Sequence, residues 1–225
     1  MLEISILEIN QELKLSDFGL LLPYITKEKQ AHINKLRSYR DARNCLLGDI
    51  LARIKICHNT KIKNDQLYFR INEYGKPYVA PGFNIHFNIS HAGNYVACAV
   101  SDEPVGIDIE LFKSVDIGVA ERFFTSDEIA YIKKGKAATI ELRLHEIWVK
   151  KESRIKWEGR GLYMSLTSFN VLQQDGISLP NYYEVLSNEE AICYVCTCKK
   201  SNPIVKIIDI AGVVSITQQR LALCI

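Results

Sequence analysis

The 225-residue sequence has no long apolar run: no segment approaches the roughly 20 consecutive apolar residues that a membrane-spanning helix requires. Nor does charge of one sign dominate, since 28 Lys and Arg stand against 26 Asp and Glu, which gives a net charge of +2. Such a chain lacks the basic stripe typical of nucleic-acid-binding proteins. Residues 1–10 contain no basic leader. We therefore predict a soluble, cytoplasmic protein that binds neither membranes nor nucleic acid.

The sequence also lacks the cysteine pattern of a disulfide-rich secreted domain. It has seven cysteines, an odd number, and their spacing does not resemble a disulfide framework. Cys193 and Cys196 have the spacing of half a zinc site. A closed zinc site needs four ligands, however, and no second pair or His tract accompanies these two. Ordinary apolar thiols in a strand are the simpler interpretation.

Apolar periodicity predicts an α+β fold with two similar halves, because strands and helices follow one another in two rounds. Thr26 is the predicted N-cap of the first helical region, which breaks near Ser38, and Asp41, Arg43 and Asp49 lie off its apolar stripe. The predicted helices are 26–57, 118–134 and 139–158, and the predicted strands are 2–9, 67–71, 83–89, 94–100, 105–111, 167–173, 182–187, 191–198 and 204–213.

The strand predicted at 105–111 carries acids on one side. Val105, Ile107 and Ile109 alternate with Gly106, Asp108 and Glu110, the pattern of a half-buried strand. Because side chains two apart on a strand point the same way, Asp108 and Glu110 can bind one hard cation together. The alternative is a solvated strand face that carries acids without a ligand.

The helix predicted at 139–158 also ends in charged groups. Leu144, Trp148, Glu152 and Lys156 form one row along it, and this row begins apolar. Charged groups on a core-facing row are rarely buried unless they are paired or bind something. The alternative is an ordinary Glu152 to Lys156 pair on a helix that rolls out of the core.

If Glu152 meets Asp108 and Glu110, a divalent metal explains why three carboxylates lie together. Mg²⁺ usually binds through a few carboxylates and substrate phosphates, so we expect a phosphate or pyrophosphate compound as substrate; Mn²⁺ suits the same oxygens. The predicted counter-charges for these phosphates are Lys76, His91, Lys151, Lys156 and Arg160.

These residues resemble the signature motifs of the 4'-phosphopantetheinyl transferases. The motifs are 106–110 (Gly-Ile-Asp-Ile-Glu), 123–128 (Phe-Phe-Thr-Ser-Asp-Glu) and 148–156 with 159–162. Upstream, 41–49, 74–77 and 87–91 are similar to the longer, surfactin-synthetase-activating class of that superfamily. The resemblance extends over roughly residues 20 to 175, and three motifs in one order are more specific than any motif singly.

The resemblance implies a monomer of two pseudo-symmetric α+β halves, each a small antiparallel sheet packed with helices, which we divide at 1–103 and 104–225. Coenzyme A would bind in the cleft between the halves, with Mg²⁺ on Asp108, Glu110 and Glu152. Glu152 and Lys156 would be the catalytic residues. The coenzyme A ligands implied or inferred are Lys29, Arg43, Lys76, Pro77, Ser90, His91, Asp108, Lys151 and Lys156.

The sequence departs from the family pattern where related proteins present basic residues to the 3'-phosphate of coenzyme A. This chain has His32 and Asn44 there, and we expect Arg43, Lys29 or Lys35 to substitute.

By the same resemblance, the reaction transfers phosphopantetheine to a serine of an acyl or peptidyl carrier protein. We expect the carrier to dock on an apolar patch with a basic rim that includes Arg122 or Lys133 and the region of Phe123 and Phe124. The alternatives are a metal-dependent nucleotide hydrolase and a non-catalytic binding module.

Overall fold

A computed structural model describes residues 1–114, 117–134, 136–173, 179–200, 202–221 and 223. It confirms the α+β class: small sheets pack against helices in two halves. No helix within these ranges is long and apolar enough to cross a membrane.

The first half is built around one sheet and one long helix. Its strands are β1 (Leu2–Glu8), β4 (His86–Ala92) and β5 (Tyr95–Ser101), and a separate two-stranded hairpin consists of β2 (Phe69–Ile71) and β3 (Pro77–Val79). Its helices are α1 (Leu15–Leu21), α2 (Lys27–Ile33) and α3 (Tyr39–Thr60). Thr26 and Ser38 cap α2 and α3, because their side chains accept from Lys29 N and Asp41 N.

The second half has a sheet of β6 (Val105–Leu111), β7 (Asn181–Ser187) and β8 (Ala191–Thr197). Its helices are α4 (Gly118–Phe123), α5 (Ser126–Lys133) and α6 (Ala137–Glu158). The chain ends with β9 (Ile204–Ile208) and α7 (Ile210–Arg220). Thr125 and Glu128 form a capping box at α5, and Gly159, with φ of 73°, ends α6.

The two halves repeat one topology. In each, a single strand is followed by a helical region with a 22-residue helix and then by a hairpin whose second strand pairs with the first strand. The strand orders are β4-β5-β1 and β7-β8-β6, with antiparallel pairing in both. β9 then pairs in parallel with β1, so the first sheet is mixed and β9 lies with the first half.

Four layers result: α3, the first sheet, the second sheet and α6. Alternate residues of both sheets form the central core, with Ile4, Ile6 and Ala97 on one side and Ile107 and Cys193 on the other. The outer faces pack on the helices in two further cores. Asp108 and Glu110 therefore belong to the face of β6 that meets α6.

Several predicted elements are wrong. Residues 167–173 form no strand, and the run at 204–213 is a strand only as far as Ile208 before α7 begins. Helix α1 was not predicted, and neither was the pairing of β6 with β8. Arg43 and Asp49, which were expected off the apolar stripe of α3, are 4% exposed each.

Candidate active site

Strand β6 and helix α6 approach each other unusually closely at Gly106. A Cβ at this position would lie 2.1 Å from the carbonyl oxygen of Ser153 and 2.3 Å from the backbone nitrogen of Trp157. Only glycine fits where two backbones meet in this way. The contact brings Lys156 of α6 next to Asp108 of β6.

Asp108 is the centre of the site. It is 4% exposed, and its Oδ1 accepts from Lys156 Nζ at 2.6 Å and from Ser90 Oγ at 2.9 Å. Its Oδ2 is buried and has no hydrogen-bond partner among the described residues. Burial raises the pKa of Asp108, and Lys156 and Ser90 oppose this rise. A buried carboxylate oxygen without a partner is an available ligand for a cation.

Glu110 and Glu152 lie close enough to Asp108 to be affected by its charge. Burial raises the pKa of both glutamates, and the charge of Asp108 raises it further. Neither glutamate forms an ion pair with another described residue. The structure therefore brings the three predicted carboxylates together, although no three His, Cys, Asp or Glu side chains within the described ranges form a ready-made metal cluster.

Two side chains of β4 connect the halves at this point. Asn88 Oδ1 accepts from Ile107 N at 2.8 Å, and Ser90 Oγ accepts from Ile109 N at 3.3 Å. Both side chains are buried, and they take the place of a main-chain partner for β6. Ser90 also accepts from Lys156 Nζ at 2.8 Å, so its hydroxyl holds both Lys156 and Asp108.

Lys156, His91 and Lys29 lead away from the carboxylates toward a cavity of about 590 Å³ in the first half. Partial burial lowers the pKa of His91, and the nearby charges of Lys156 and Lys29 lower it further. Lys29 and His32 line the cavity, and Pro77 belongs to its wall. The full lining is Thr26, Glu28, Lys29, His32, Asp49, Arg53, Tyr68, Phe69, Ile71, Gly75, Pro77, Phe87 and Ile89.

Lys151 does not fit its predicted role as a phosphate ligand. It is fully buried, and its Nζ forms an ion pair with Glu128 at 2.8 Å. The same ammonium donates to the carbonyl oxygens of Leu166 at 2.7 Å and Phe169 at 2.8 Å. Because all three of its N–H donors have partners, none remains for a substrate.

Arg43 also points elsewhere than predicted. Its guanidinium donates to Asn44 Oδ1, to the Gly93 carbonyl oxygen and to Asn94 Oδ1, at 3.1 to 3.3 Å. Asn44 donates to the same Gly93 carbonyl at 3.0 Å. These two residues hold the β4–β5 turn and do not line the cavity.

Lys76 turns away from the cavity as well. Its Nζ donates to three main-chain carbonyl oxygens, those of Val105 at 3.1 Å, Lys156 at 2.5 Å and Trp157 at 3.4 Å. Burial lowers the pKa of Lys76 to about 8. Arg160 is exposed and forms no ion pair with another described residue.

The predicted docking patch is only partly exposed. Phe124 is 3% exposed and packs against Trp148, so it belongs to the core. Phe123 is half-buried under the guanidinium of Arg122, and Lys133 pairs with Glu121 at 2.8 Å.

Asn88 is a site residue that was not predicted from the sequence. The available signal was the alternation of Phe87, Asn88, Ile89 and Ser90, which places two short polar side chains on one face of a buried strand.

Comparison with known proteins agrees with this geometry. The profile described as "4'-phosphopantetheinyl transferase, N-terminal" matches residues 13–103, and that of the "4'-phosphopantetheinyl transferase superfamily" matches residues 104–214.

Curated relatives include the 4'-phosphopantetheinyl transferase gsp of Aneurinibacillus migulanus, 38% identical over 169 residues, which are 75% of this chain and 70% of the relative. The 4'-phosphopantetheinyl transferase Sfp of Bacillus subtilis is 37% identical over 181 residues, 78% of this chain and 77% of the relative. The mouse L-aminoadipate-semialdehyde dehydrogenase-phosphopantetheinyl transferase is 31% identical over 161 residues, 65% and 52% of the two chains. The chain therefore belongs to the 4'-phosphopantetheinyl transferase superfamily, in its Sfp-like class.

Proposed function

We propose that this protein transfers the 4'-phosphopantetheine arm of coenzyme A to a serine of an acyl or peptidyl carrier protein and releases adenosine 3',5'-bisphosphate. The observation that carries the proposal is Asp108: one carboxylate oxygen is held by Lys156 and Ser90, and the other is buried without a partner. A cationic route from Lys156 past His91 to Lys29 suits a polyanionic substrate that reaches from these carboxylates to the cavity.

The donor set fits Mg²⁺ or Mn²⁺, which prefer carboxylate oxygens. Asp108, Glu110 and Glu152 would hold the ion, and the unpartnered Oδ2 of Asp108 supports this assignment. When bound, such an ion supplies positive charge to the pyrophosphate of the substrate.

Lys156 supplies a second positive charge. Its ammonium lies between Asp108 and Ser90 and is 28% exposed, so it remains accessible to a phosphate oxygen. Phosphoryl transfer depends mainly on positioning and charge neutralisation, which is the role we assign to Lys156. Lys29, His91 and Pro77 would bind the remainder of coenzyme A.

Glu152 is the proposed general base. Its raised pKa makes it a better proton acceptor than an exposed glutamate. The serine oxygen of the carrier attacks the phosphorus that bears the pantetheine arm, the proton of the hydroxyl passes to Glu152, and the P–O bond to adenosine bisphosphate breaks. The leaving phosphate takes the electron pair of that bond.

We propose further that the protein acts as a cytoplasmic monomer. The carrier would approach over the part of α6 where Phe123 packs against Trp148, one turn before Glu152. There the half-buried Phe123 and the guanidinium of Arg122 above it would offer an apolar and basic contact for an acidic helical domain.

Intact-protein mass spectrometry tests the reaction. An apo carrier domain is incubated with the protein, coenzyme A and Mg²⁺, and a chelator is added to a parallel sample. We expect a metal-dependent gain of one phosphopantetheine on the carrier serine. Consumption of coenzyme A without a gain on several carriers would contradict the proposal and favour a hydrolase.

A further inference from the structure

The hairpin of β2 and β3 contacts the end of α6 at two places, through Asn72 and Lys76. Asn72 Nδ2 donates to the Gly159 carbonyl oxygen at 2.8 Å, and Asn72 Oδ1 accepts from Tyr74 N and Lys76 N. One side chain therefore shapes the hairpin turn and attaches it to the C-terminal end of α6. Asn72 and Lys76 belong to the first half of the molecule, whereas α6 belongs to the second.

Lys76 reaches the carbonyl groups that a helix leaves without partners. The last carbonyls of an α-helix have no intrahelical donor, and the dipole makes that end attractive to a cation. The Lys76 ammonium donates to the carbonyl oxygens of Lys156 and Trp157. Its aliphatic stem packs against Gly159, where an added Cβ would lie 2.9 Å from Lys76 Cδ. It acts as a C-terminal cap supplied by another element.

The same ammonium also holds the strand that carries the acids. Its third partner is the carbonyl oxygen of Val105, the first residue of β6. One side chain thus fixes the beginning of β6 and the end of α6, the two elements on which Asp108 and Lys156 lie. The distance of 2.6 Å between the Lys156 ammonium and the Asp108 carboxylate depends on the relative position of these elements.

We infer that Lys76 is a positioning residue, which acts through the main chain of Lys156 and Val105 and not as a ligand of the substrate. Its three N–H donors all have protein partners, so none is left for a phosphate oxygen. Its neighbours Gly75 and Pro77 line the cavity, whereas Lys76 does not. For its kinetic consequence, this inference rests on the proposed function.

The decisive variant is Lys76→Met, with Arg70→Met as matched control. Arg70 is an exposed cation of β2 on the same hairpin, so its replacement removes an equal charge without touching α6. Hydrogen exchange of the amides at 155–160 is measured first, since it needs no activity. We expect exchange about 10-fold faster in Lys76→Met and unchanged in Arg70→Met.

Coenzyme A affinity and turnover separate positioning from direct binding. We expect Lys76→Met to lower kcat by about 10-fold or more and to leave the Kd for coenzyme A, measured by calorimetry, within about twofold of the unmodified protein. A weakened Kd with unchanged exchange would overturn the inference, because it would make Lys76 a direct ligand.

A second variant keeps the inference testable if Lys76→Met fails to fold. Lys76→Gln has a side chain one atom shorter and two amide N–H donors in place of three, so it weakens the contacts to the Val105, Lys156 and Trp157 carbonyls while it keeps a polar end among them. Faster exchange at 155–160 supports the inference, and unchanged exchange overturns it. If the unmodified protein neither binds coenzyme A nor modifies a carrier, the proposed function fails, but the exchange comparison still decides whether Lys76 holds α6.

Discussion

At the scale of single residues, the site depends on how little space separates two backbones. Gly106 allows β6 to lie against α6, and this approach brings Lys156 within 2.6 Å of Asp108. The carboxylate stays buried because Lys156 and Ser90 satisfy one of its oxygens. A buried charge without such partners would be strongly unfavourable. The glycine therefore contributes to the chemistry although it has no functional group.

Replacement of Gly106 by alanine is expected to force α6 away from β6. We expect a loss of about 1–3 kcal/mol in the free energy of unfolding from overpacking, and a fall in kcat of about 100-fold from the displaced Lys156. Gly19→Ala is the control, because a Cβ on this helical residue meets no atom within 4 Å. Urea unfolding and carrier modification measure both effects; an active, equally stable Gly106→Ala protein would refute the argument.

Glu3 provides a pH-dependent contact between β1 and α3. Burial raises its pKa, but the hydrogen bond and charge of Lys55, whose Nζ lies 2.8 Å from Glu3 Oε2, outweigh burial and lower the pKa overall. In acid, the unfolded chain therefore binds more protons at Glu3 than the folded chain does. Its stabilisation is present above the unfolded pKa and is lost as the pH falls through the lowered one.

Glu3→Gln is therefore expected to make stability less dependent on pH between about pH 5.5 and 3. Urea unfolding at a series of pH values measures the slope for both proteins. Identical slopes would show that the Lys55 contact does not hold the pKa of Glu3 down.

At the scale of elements, α6 has two charged faces with different tasks. Glu152 and Lys156 face the acidic strand, whereas Lys151 points into the interior and pairs with Glu128 of α5. Glu128 also accepts from the backbone nitrogens of Thr125 and Val171, both at 2.8 Å. The Lys151–Glu128 pair thus connects α6 to the capping box of α5 and to Val171, in the segment that follows α6.

Lys151→Met is expected to destabilise the protein by about 3–5 kcal/mol, because it leaves the Glu128 charge buried without its cation. Lys133→Met is the matched control: its ion pair with Glu121 is exposed, and we expect a loss below about 1 kcal/mol. Thermal and urea unfolding measure the difference. Similar stability in the two variants, combined with a raised KM for coenzyme A in Lys151→Met alone, would restore the role that the sequence suggested for Lys151.

Local signals explain which elements the sequence could predict. Thr26, Ser38 and Thr125 cap helices by hydrogen bonds to residues three positions later, and Gly159 ends α6 in a left-handed conformation. These helix boundaries therefore depend on residues that are close together in the sequence. Helix α7 begins two residues after β9 ends, and its β-branched residues have the composition typical of a strand. The predicted strand therefore extended into α7. The acids of β6 were predictable from alternation, but the direction of Lys151 was not, because it depends on Glu128 from another helix.

At the scale of the whole molecule, the two halves share a core between their sheets but lack a main-chain ladder between β4 and β6. Asn88 and Ser90 of β4 accept from the backbone nitrogens of Ile107 and Ile109 instead. Side chains can join strands from different sheets at an angle that a regular ladder does not allow. Sequence periodicity could not predict this junction, since it arises only when the halves meet.

Asn88→Ala is expected to cost about 1–3 kcal/mol, because the buried Ile107 N–H loses its acceptor. Asn34→Ala, at an exposed position after α2, is expected to change stability by less than about 0.5 kcal/mol. The free energy of urea unfolding measures both. An equal, small effect at the two positions would mean that the junction does not depend on the Asn88 side chain.

The role of the carboxylates as the reaction centre is tested by comparing the unmodified protein with Asp108→Asn in carrier modification, followed by intact mass at increasing Mg²⁺ concentrations. The substitution keeps the shape of the side chain but removes the charge that pairs with Lys156. We expect Mg²⁺-dependent transfer by the unmodified protein and none above background by Asp108→Asn at any Mg²⁺ concentration, with both proteins folded. Transfer by Asp108→Asn at the unmodified rate would contradict the claim that these carboxylates are the reaction centre.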